Sequence, residues 1–374
     1  MPLGTAGQPG LLPYIPAAPF RQAGMADLPS RGGSDASAAG TDPAQEPPAE
    51  PWQGRNVLVT GGLGFIGSTL AIRLCQLGAR VTIIDSLVPQ YGGNTFNLAG
   101  YTDRIRVNLS DIRDRFSLEV LLRDQAVIFN LAGQTSHMDS MEDPETDLAI
   151  NCTAQLSLLQ LCRRVNGSAR IVFASTRQLY GRPHYLPVDE SHPVEPVDVN
   201  GINKLAAEMY HRLYADVYGL QVRILRLTNT IGPRMRIRDA RQTFVGVWVR
   251  QLLEGRPIEV WGGAQLRDFN DVDDVVDALL LAGSRPDLPA TPYNLGSEHC
   301  LSLRDLAEMM VRIHGSGGIR QMQFPADRQK IDIGDYYSSP RRFQQDCGWQ
   351  PRRSLEATLE RTLAYYREHF HHYV

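Results

Sequence analysis

A short apolar strand running straight into three spaced glycines constrains this chain more than any other feature. Asn56-Val57-Leu58-Val59-Thr60 is apolar throughout its interior, as expected of a parallel strand buried on both faces. It enters Gly61-Gly62-Leu63-Gly64-Phe65-Ile66-Gly67, and a helical pattern then runs to about Leu77. Glycines at 61, 64 and 67 permit a tight turn, close approach of the backbone to a pyrophosphate, and close packing of helix on sheet. The helix N-terminus then faces the phosphates with its free N–H groups. A second strand, Val81 to Asp85, ends on a carboxylate 18 residues beyond Gly67, placed to accept hydrogen bonds from an adenosine ribose. Ser86, Leu87 and Val88 follow with no arginine for a 2′-phosphate, so NAD is favoured over NADP.

Strand-like runs recur at 105–111, 126–132, 169–175 and 221–228, with helical stretches between them. Such alternation predicts an α/β fold, a Rossmann-type doubly wound parallel sheet. Beyond about Gly232 the pattern shortens. A helix over 243–254, a strand at Ile258–Trp261, and helices over 273–282, Leu303–His314 and 354–369 predict a smaller mixed α/β C-terminal domain. The expected organisation is an extension over 1–53, an NAD-binding Rossmann domain over 54–232, and a mainly substrate-binding cap over 233–374. The first 51 residues hold ten of the 24 prolines, with Gly, Ala and Ser between and no hydrophobic period. Composition of this kind cannot offset its ordering entropy, so the extension is expected to be disordered; Met25 is an alternative start.

The bulk chemistry excludes several classes. A net charge of -3, with 38 basic and 41 acidic residues interspersed, gives no reason to expect nucleic acid. Five scattered cysteines form no Cys-x-x-Cys pair, which argues for reduced thiols in a cytoplasm and against a metal site. No apolar run reaches the roughly 20 residues needed to cross a bilayer.

Further segments carry a resemblance to the extended short-chain dehydrogenases, the NAD-dependent nucleotide-sugar epimerases and dehydratases. Asp111-Ile112 resembles that family's adenine-edge contact. Asn130-Leu131-Ala132-Gly133-Gln134 resembles the segment under the nicotinamide half of the cofactor, Asn151 a helix asparagine, and Ser175-Thr176-Arg177-Gln178-Leu179-Tyr180-Gly181 the strand with the catalytic Ser/Thr. The stretch from Arg226 to Arg234, which includes Asn229, resembles the segment that meets the substrate diphosphate, and Arg267-Asp268-Phe269 one whose arginine binds a phosphate. Gly348-Trp349-Gln350-Pro351 resembles the closing motif, so the likeness spans about residues 56 to 369. The resemblance implies that Gly61, Gly64, Phe65, Ile66, Gly67, Asp85, Asp111, Ile112, Leu131, Ala132, Gln134 and Lys204 hold NAD. It further implies that Thr176 bonds the reacting hydroxyl, that Lys204 holds the nicotinamide ribose, and that a nucleotide-diphosphate sugar is the substrate.

One departure dominates. Where the family carries a tyrosine four residues before the lysine, this chain has Asn200. One helical turn would put a phenol and Lys204 on one face, the lysine lowering the phenol's pKa for proton transfer. An amide cannot take a proton. Losing a general base costs about 10²–10⁴-fold, so another group is expected to substitute. His137, whose ordinary pKa lies near neutrality, and Asp139 lie just past the nicotinamide segment, and Tyr180 is a further candidate. The dehydratase Asp-Glu pair after the catalytic Thr is replaced by Arg177-Gln178, neither of which can act as that acid and base. Epimerisation through a transient keto-sugar is therefore the leading expectation. The alternatives are a decarboxylase or dehydratase with altered chemistry, or a non-catalytic binder of NAD and nucleotide sugar.

Arg177 suits a substrate carboxylate or phosphate, or pairs with a nearby acid. Arg234, Arg236, Arg238 and Arg241 suit a diphosphate or a uronic carboxylate, or form a solvated loop; Arg328 and Lys330 add a candidate phosphate contact. Thr243 to Trp248, with Trp261, are expected to line the nucleotide pocket. The resemblance implies a homodimer packed through a four-helix bundle, for which the leucine-rich stretch 147–164 with 202–217 would supply the matching helices.

Overall fold

The structure, a computed structural model, describes residues 51–88, 90–297, 299–324 and 331–374. The expected extension up to residue 50, and Arg328 and Lys330, lie outside these. In chain order the first half comprises β1 (Asn56–Thr60), α1 (Phe65–Gln76), β2 (Arg80–Ile84), β3 (Arg106–Asn108), α2 (Arg115–Leu121), β4 (Val127–Asn130), α3 (His137–Glu142), α4 (Pro144–Leu148), α5 (Ala154–Val165), β5 (Arg170–Thr176), α6 (Val199–Tyr218) and β6 (Gln221–Leu227). The remainder comprises β7 (Asn229–Ile231), α7 (Phe244–Leu253), β8 (Ile258–Trp261), β9 (Leu266–Asp271), α8 (Val272–Ser284), β10 (Pro292–Leu295), β11 (Cys300–Ser302), α9 (Leu303–His314), β12 (Ile319–Met322), α10 (Arg341–Cys347) and α11 (Leu355–His369).

Seven strands form one parallel sheet in the order β10-β6-β5-β4-β1-β2-β3, the doubly wound arrangement expected from the alternation. β1, β4 and most of β5 are apolar on both faces because both faces are covered. Val57 and Val59 enter one core with α1 and α8, while Leu58 enters the other with α5 and α6. Burying each such side chain contributes about 1.5–3 kcal/mol, which makes this sheet the anchor of everything above it. A third core unites α7, α9 and α11 in the C-terminal part. The described residues belong to one compact unit, and none of their helices is long and apolar enough to cross a membrane.

Several details differ from the expected pattern. Trp52 falls inside the expected extension, yet its ring is fully buried beside Phe129, with centroids 5.9 Å apart. A lone aromatic in a proline-rich stretch carries no period by which to recognise it. The stretch 147–164 is not one regular helix: residues Ala149–Thr153 form a π-helical turn between α4 and α5. That turn presents Asn151, whose Nδ2 donates to Gln134 O and to Asp147 Oδ2, and such bulges recur where a side chain must be re-aimed at a site. β3 is confined to three residues at the sheet edge. Finally, β10 and α8, both from the C-terminal part, return to the main sheet, β10 as its edge strand.

Candidate active site

A cavity opens at the carboxyl ends of β1, β2, β4, β5 and β6, where a doubly wound sheet binds its ligands. Its walls bring together Gly61, Gly64, Phe65, Ile66, Gly67, Asp85, Asp111, Ile112, Leu131, Ala132, Gln134, His137, Thr176, Arg177, Asn200, Lys204, Asn229 and Thr243. Arg234 and Arg267 stand outside that lining.

At the glycine turn, steric limits explain the sequence. Gly61 has φ +69°, and a Cβ there would lie 2.9 Å from Ala132 Cα; a Cβ on Gly67 would fall 2.2 Å from Gly61 O. Thr60 Oγ1 accepts from the N–H groups of Leu131 and Ala132, both at 3.0 Å, which locks the ends of β1 and β4 together. The N-cap of α1 is Gly64, with no side chain to occupy the helix's first N–H groups. Asp85 accepts from Leu63 N at 3.0 Å and Leu87 N at 2.9 Å, so it braces the glycine turn as well as facing the cavity. Burial raises its pKa. Asp111 is gripped by Arg113 through two bonds of 2.9 and 2.8 Å, which hold its carboxyl below the usual range.

At the reacting end, Asn200 is 3% exposed and both its amide hydrogens are committed: Nδ2 donates to Gln134 O at 2.8 Å and to Asp147 Oδ2 at 3.0 Å. Lys204, one turn on, donates to Ala174 O at 3.1 Å; burial pulls its pKa down to about 8, against the opposing charge of Asp147. Thr176 ends β5, and its Oγ1 accepts from Gln178 N at 3.2 Å. Behind it, Ser175 and Arg226 both bond the buried Glu208 of α6, fixing the strand against the helix that carries Lys204.

His137 opens α3 with its Nδ1 3.1 Å from Asp198 Oδ2. Asp198 is the N-cap of α6, accepting from Gly201 N at 2.7 Å, and it also takes Gln178 Nε2 at 3.0 Å. Burial alone would raise its pKa, but His137 and these donors outweigh it, and the group remains an anion. The other candidate bases are engaged elsewhere. Asp139 pairs with Arg241 at 2.7 Å, and the Tyr180 hydroxyl donates to Asn294 Oδ1 at 2.7 Å, its pKa pushed up to about 12 by burial.

On the opposite wall the Arg177 guanidinium lies 4.9 Å over the Tyr336 ring, with Nη2 3.4 Å from Asn229 Oδ1. Arg267 is 7% exposed, bonded to Leu266 O at 2.8 Å and to Gly334 O; burial, then the charge of Arg177, lowers its pKa to about 10. Arg234 adopts φ +74° and directs Nε to Asn97 O at 3.1 Å, away from the cavity. Arg236 and Arg241 both pair with Asp239, so two of the four arginines in this stretch are engaged within the loop. Thr243 caps α7 at the cavity wall, but Trp248 is buried in the C-terminal core.

The sequence reading did not single out Asp198 and Asp147. Asp198 stands two residues ahead of Asn200 at a helix start, and Asp147 one helical turn before Asn151; both spacings were visible, but their partners lie far along the chain.

The family model for NAD dependent epimerase/dehydratase proteins matches residues 57–296. The chain belongs to that family. It is 32% identical over 329 residues to UDP-glucuronic acid decarboxylase 1 of Xenopus tropicalis, covering 85% of this chain and 73% of the relative. It is 31% identical over 317 residues to UDP-glucose 4-epimerase of Mycolicibacterium smegmatis, covering 83% and 98%. Among solved structures, UDP-glucose 4-epimerase of Thermus thermophilus in complex with NAD superposes with a TM-score of 0.74 at 27% identity, covering 83% of this chain and 99% of that one. NAD is the family's cofactor, and this site fits it: the cradle at Gly61, Gly64 and Gly67 has no room for a Cβ at two of its three positions, and the start of α1 is uncapped.

Proposed function

We propose that the chain is an NAD-dependent epimerase of a nucleotide-diphosphate sugar, in which His137, oriented by Asp198, moves the proton that a tyrosine would otherwise move. The observation that carries this reading is the 3.1 Å contact between His137 Nδ1 and Asp198 Oδ2 in the wall that also holds Thr176, Asn200 and Lys204. The carboxylate 3.1 Å from Nδ1 is a close approach of charge and not a directed hydrogen bond; it draws the imidazole toward Asp198 and leaves Nε2 as the atom that exchanges a proton with substrate. Bound NAD supplies hydride acceptance and return at the sugar carbon. Thr176 bonds the reacting hydroxyl, and Lys204 holds the nicotinamide ribose and contributes positive charge. Asn229 and Thr243 meet the nucleotide diphosphate, with Arg267 fixing the wall behind them. The Arg177-Gln178 pair supplies neither acid nor base for dehydration, since the guanidinium stays protonated and the amide does not titrate.

A second reading, decarboxylation of a nucleotide uronate, is favoured by Arg177. A guanidinium next to Thr176 in the cavity wall suits a substrate carboxylate. Incubating the protein with NAD and UDP-glucose, UDP-galactose, UDP-N-acetylglucosamine, UDP-glucuronate and the thymidine counterparts separates the two. Epimerisation gives an isomer of unchanged mass; decarboxylation gives a pentose and CO₂. Absence of both products, and of transient NADH absorbance, with every sugar that binds would sink the enzymatic proposal.

A further inference from the structure

The polar groups around Asn200 converge on one buried carboxylate. Asp147, on α4, has no solvent exposure. Its Oδ2 accepts from Asn151 Nδ2 at 2.9 Å and from Asn200 Nδ2 at 3.0 Å, and its Oδ1 accepts from Asn203 Nδ2 at 2.8 Å. Asn151 and Asn200, from two different helical segments, also donate to the same carbonyl, Gln134 O, at 2.9 and 2.8 Å. Two asparagines therefore clamp the same pair of acceptors, and a third closes the far side. Three N–H donors on one carboxyl match its ionised form, which only accepts; a protonated acid would bring a proton of its own among them.

A buried anion held by neutral amides still needs an opposite charge, because taking an ion out of water is costly unless it is paired. Lys204 makes no direct ion pair with it, but follows Asn203 by one residue and Asn200 by one turn, both bonded to Asp147, and the charge of Asp147 acts on the lysine against its burial. The groups around the lysine leave few alternatives. β5 offers the neutral Phe173 ring, 5.0 Å from Nζ, and the Ala174 carbonyl. On α6, Glu208 is paired with Arg226, and burial depresses His211 to about 4, so it is neutral near pH 7. From α3, His137 is engaged with Asp198.

We infer that Asp147 is the buried counter-charge of this site, held ionised by Asn151, Asn200 and Asn203, and that it keeps Lys204 protonated inside the cavity. Asn200 is then a positioning residue. It joins the lysine helix to the Gln134 segment and solvates the anion, a role that a phenol with one hydrogen could not fill. The inference is independent of which sugar the enzyme accepts, since it concerns the charge of the cavity before any ligand enters.

The chain contains only two lysines, Lys204 and Lys330, so full-length protein carrying isotope-labelled lysine gives two side-chain NMR signals, assigned with Lys330→Arg. Titration of the free protein should place Lys204 well below an ordinary lysine. Asp147→Asn should lower its midpoint further by about one unit or more, the usual effect of removing a close opposite charge. Asn200→Ala and Asn203→Ala, each removing one donor, should lower it by smaller amounts, and they keep the test available if Asp147→Asn does not fold. A Lys204 midpoint unmoved in every folded variant would overturn the inference.

Discussion

The imidazole Nδ1 of His137 lies 3.1 Å from Asp198 Oδ2, and Asp198 is the N-cap of the helix on which Asn200 and Lys204 sit. One carboxylate thus does two jobs, capping the helix that presents the lysine and orienting the imidazole across the cavity. His137 begins α3, so the close approach of its imidazole to Asp198 joins α3 to the start of α6. In the proposed mechanism that contact supplies the proton-transfer group in place of the phenol.

Restoring the tyrosine should not restore ordinary activity. Asn200→Tyr removes a donor to Asp147 and one to Gln134 O and forces a ring into a position 3% exposed. Asn151 still donates to both acceptors, so the cost is chiefly that of overpacking a filled position, about 1–3 kcal/mol. Denaturant unfolding should show a loss of this size, with turnover no higher than wild type.

Much of this was legible in the sequence. The strand, the glycine turn and Asp85 are local in the chain, and their geometry follows from sterics within about thirty residues. The helices Leu303–His314 and Leu355–His369 fall where the sequence pattern places them, and Ser302 and Ser354 cap them. What the sequence did not disclose depends on contacts between distant segments. Asp147 reaches Asn203 across 56 positions, and Arg234 spends its Nε on Asn97, 137 positions away, rather than on a phosphate. Within stretch 147–164, Leu158, Leu159 and Leu161 are buried in the protein's own core, while Leu148 is exposed.

The glycine cradle gives a steric prediction. Gly67→Ala places a methyl 2.2 Å from Gly61 O, a backbone atom that cannot yield without moving the turn. Overpacking of this kind costs about 1–3 kcal/mol. NAD affinity, read by quenching of intrinsic fluorescence, should fall by roughly the corresponding 10- to 100-fold; affinity equal to wild type would remove the cradle from the account.

His211 should make stability fall in acid. Its ring is buried and stacked on Phe173 at 4.1 Å, and burial lowers its pKa from 6.5 to about 4. Between those values the unfolded chain binds a proton that the folded chain refuses, so the contribution is complete above 6.5 and lost as pH falls toward 4. The difference is about 3 kcal/mol. His211→Phe should gain on wild type by that order between pH 7 and pH 4 in denaturant unfolding; a constant offset at both pH values would contradict it.

For assembly, α6 carries exposed apolar residues, as do other elements such as α2 with Phe116 and Val120. Ile202, Met209, Leu213 and Val217 form one stripe, 48–61% exposed. We propose that this face pairs with its counterpart in a second copy. Met209→Glu with Leu213→Glu should turn a dimer into a monomer in sedimentation at micromolar concentration; a wild-type monomer would refute the pairing.

The most direct test of the proton-transfer proposal is single-turnover reduction of NAD by a nucleotide sugar that the wild-type protein converts. His137→Ala should bind NAD as wild type does and lose the rate of hydride transfer by about 10²–10⁴-fold, with Asp198→Asn, which can still cap α6, showing a smaller loss in the same direction. Hydride transfer at the wild-type rate in His137→Ala would contradict the account.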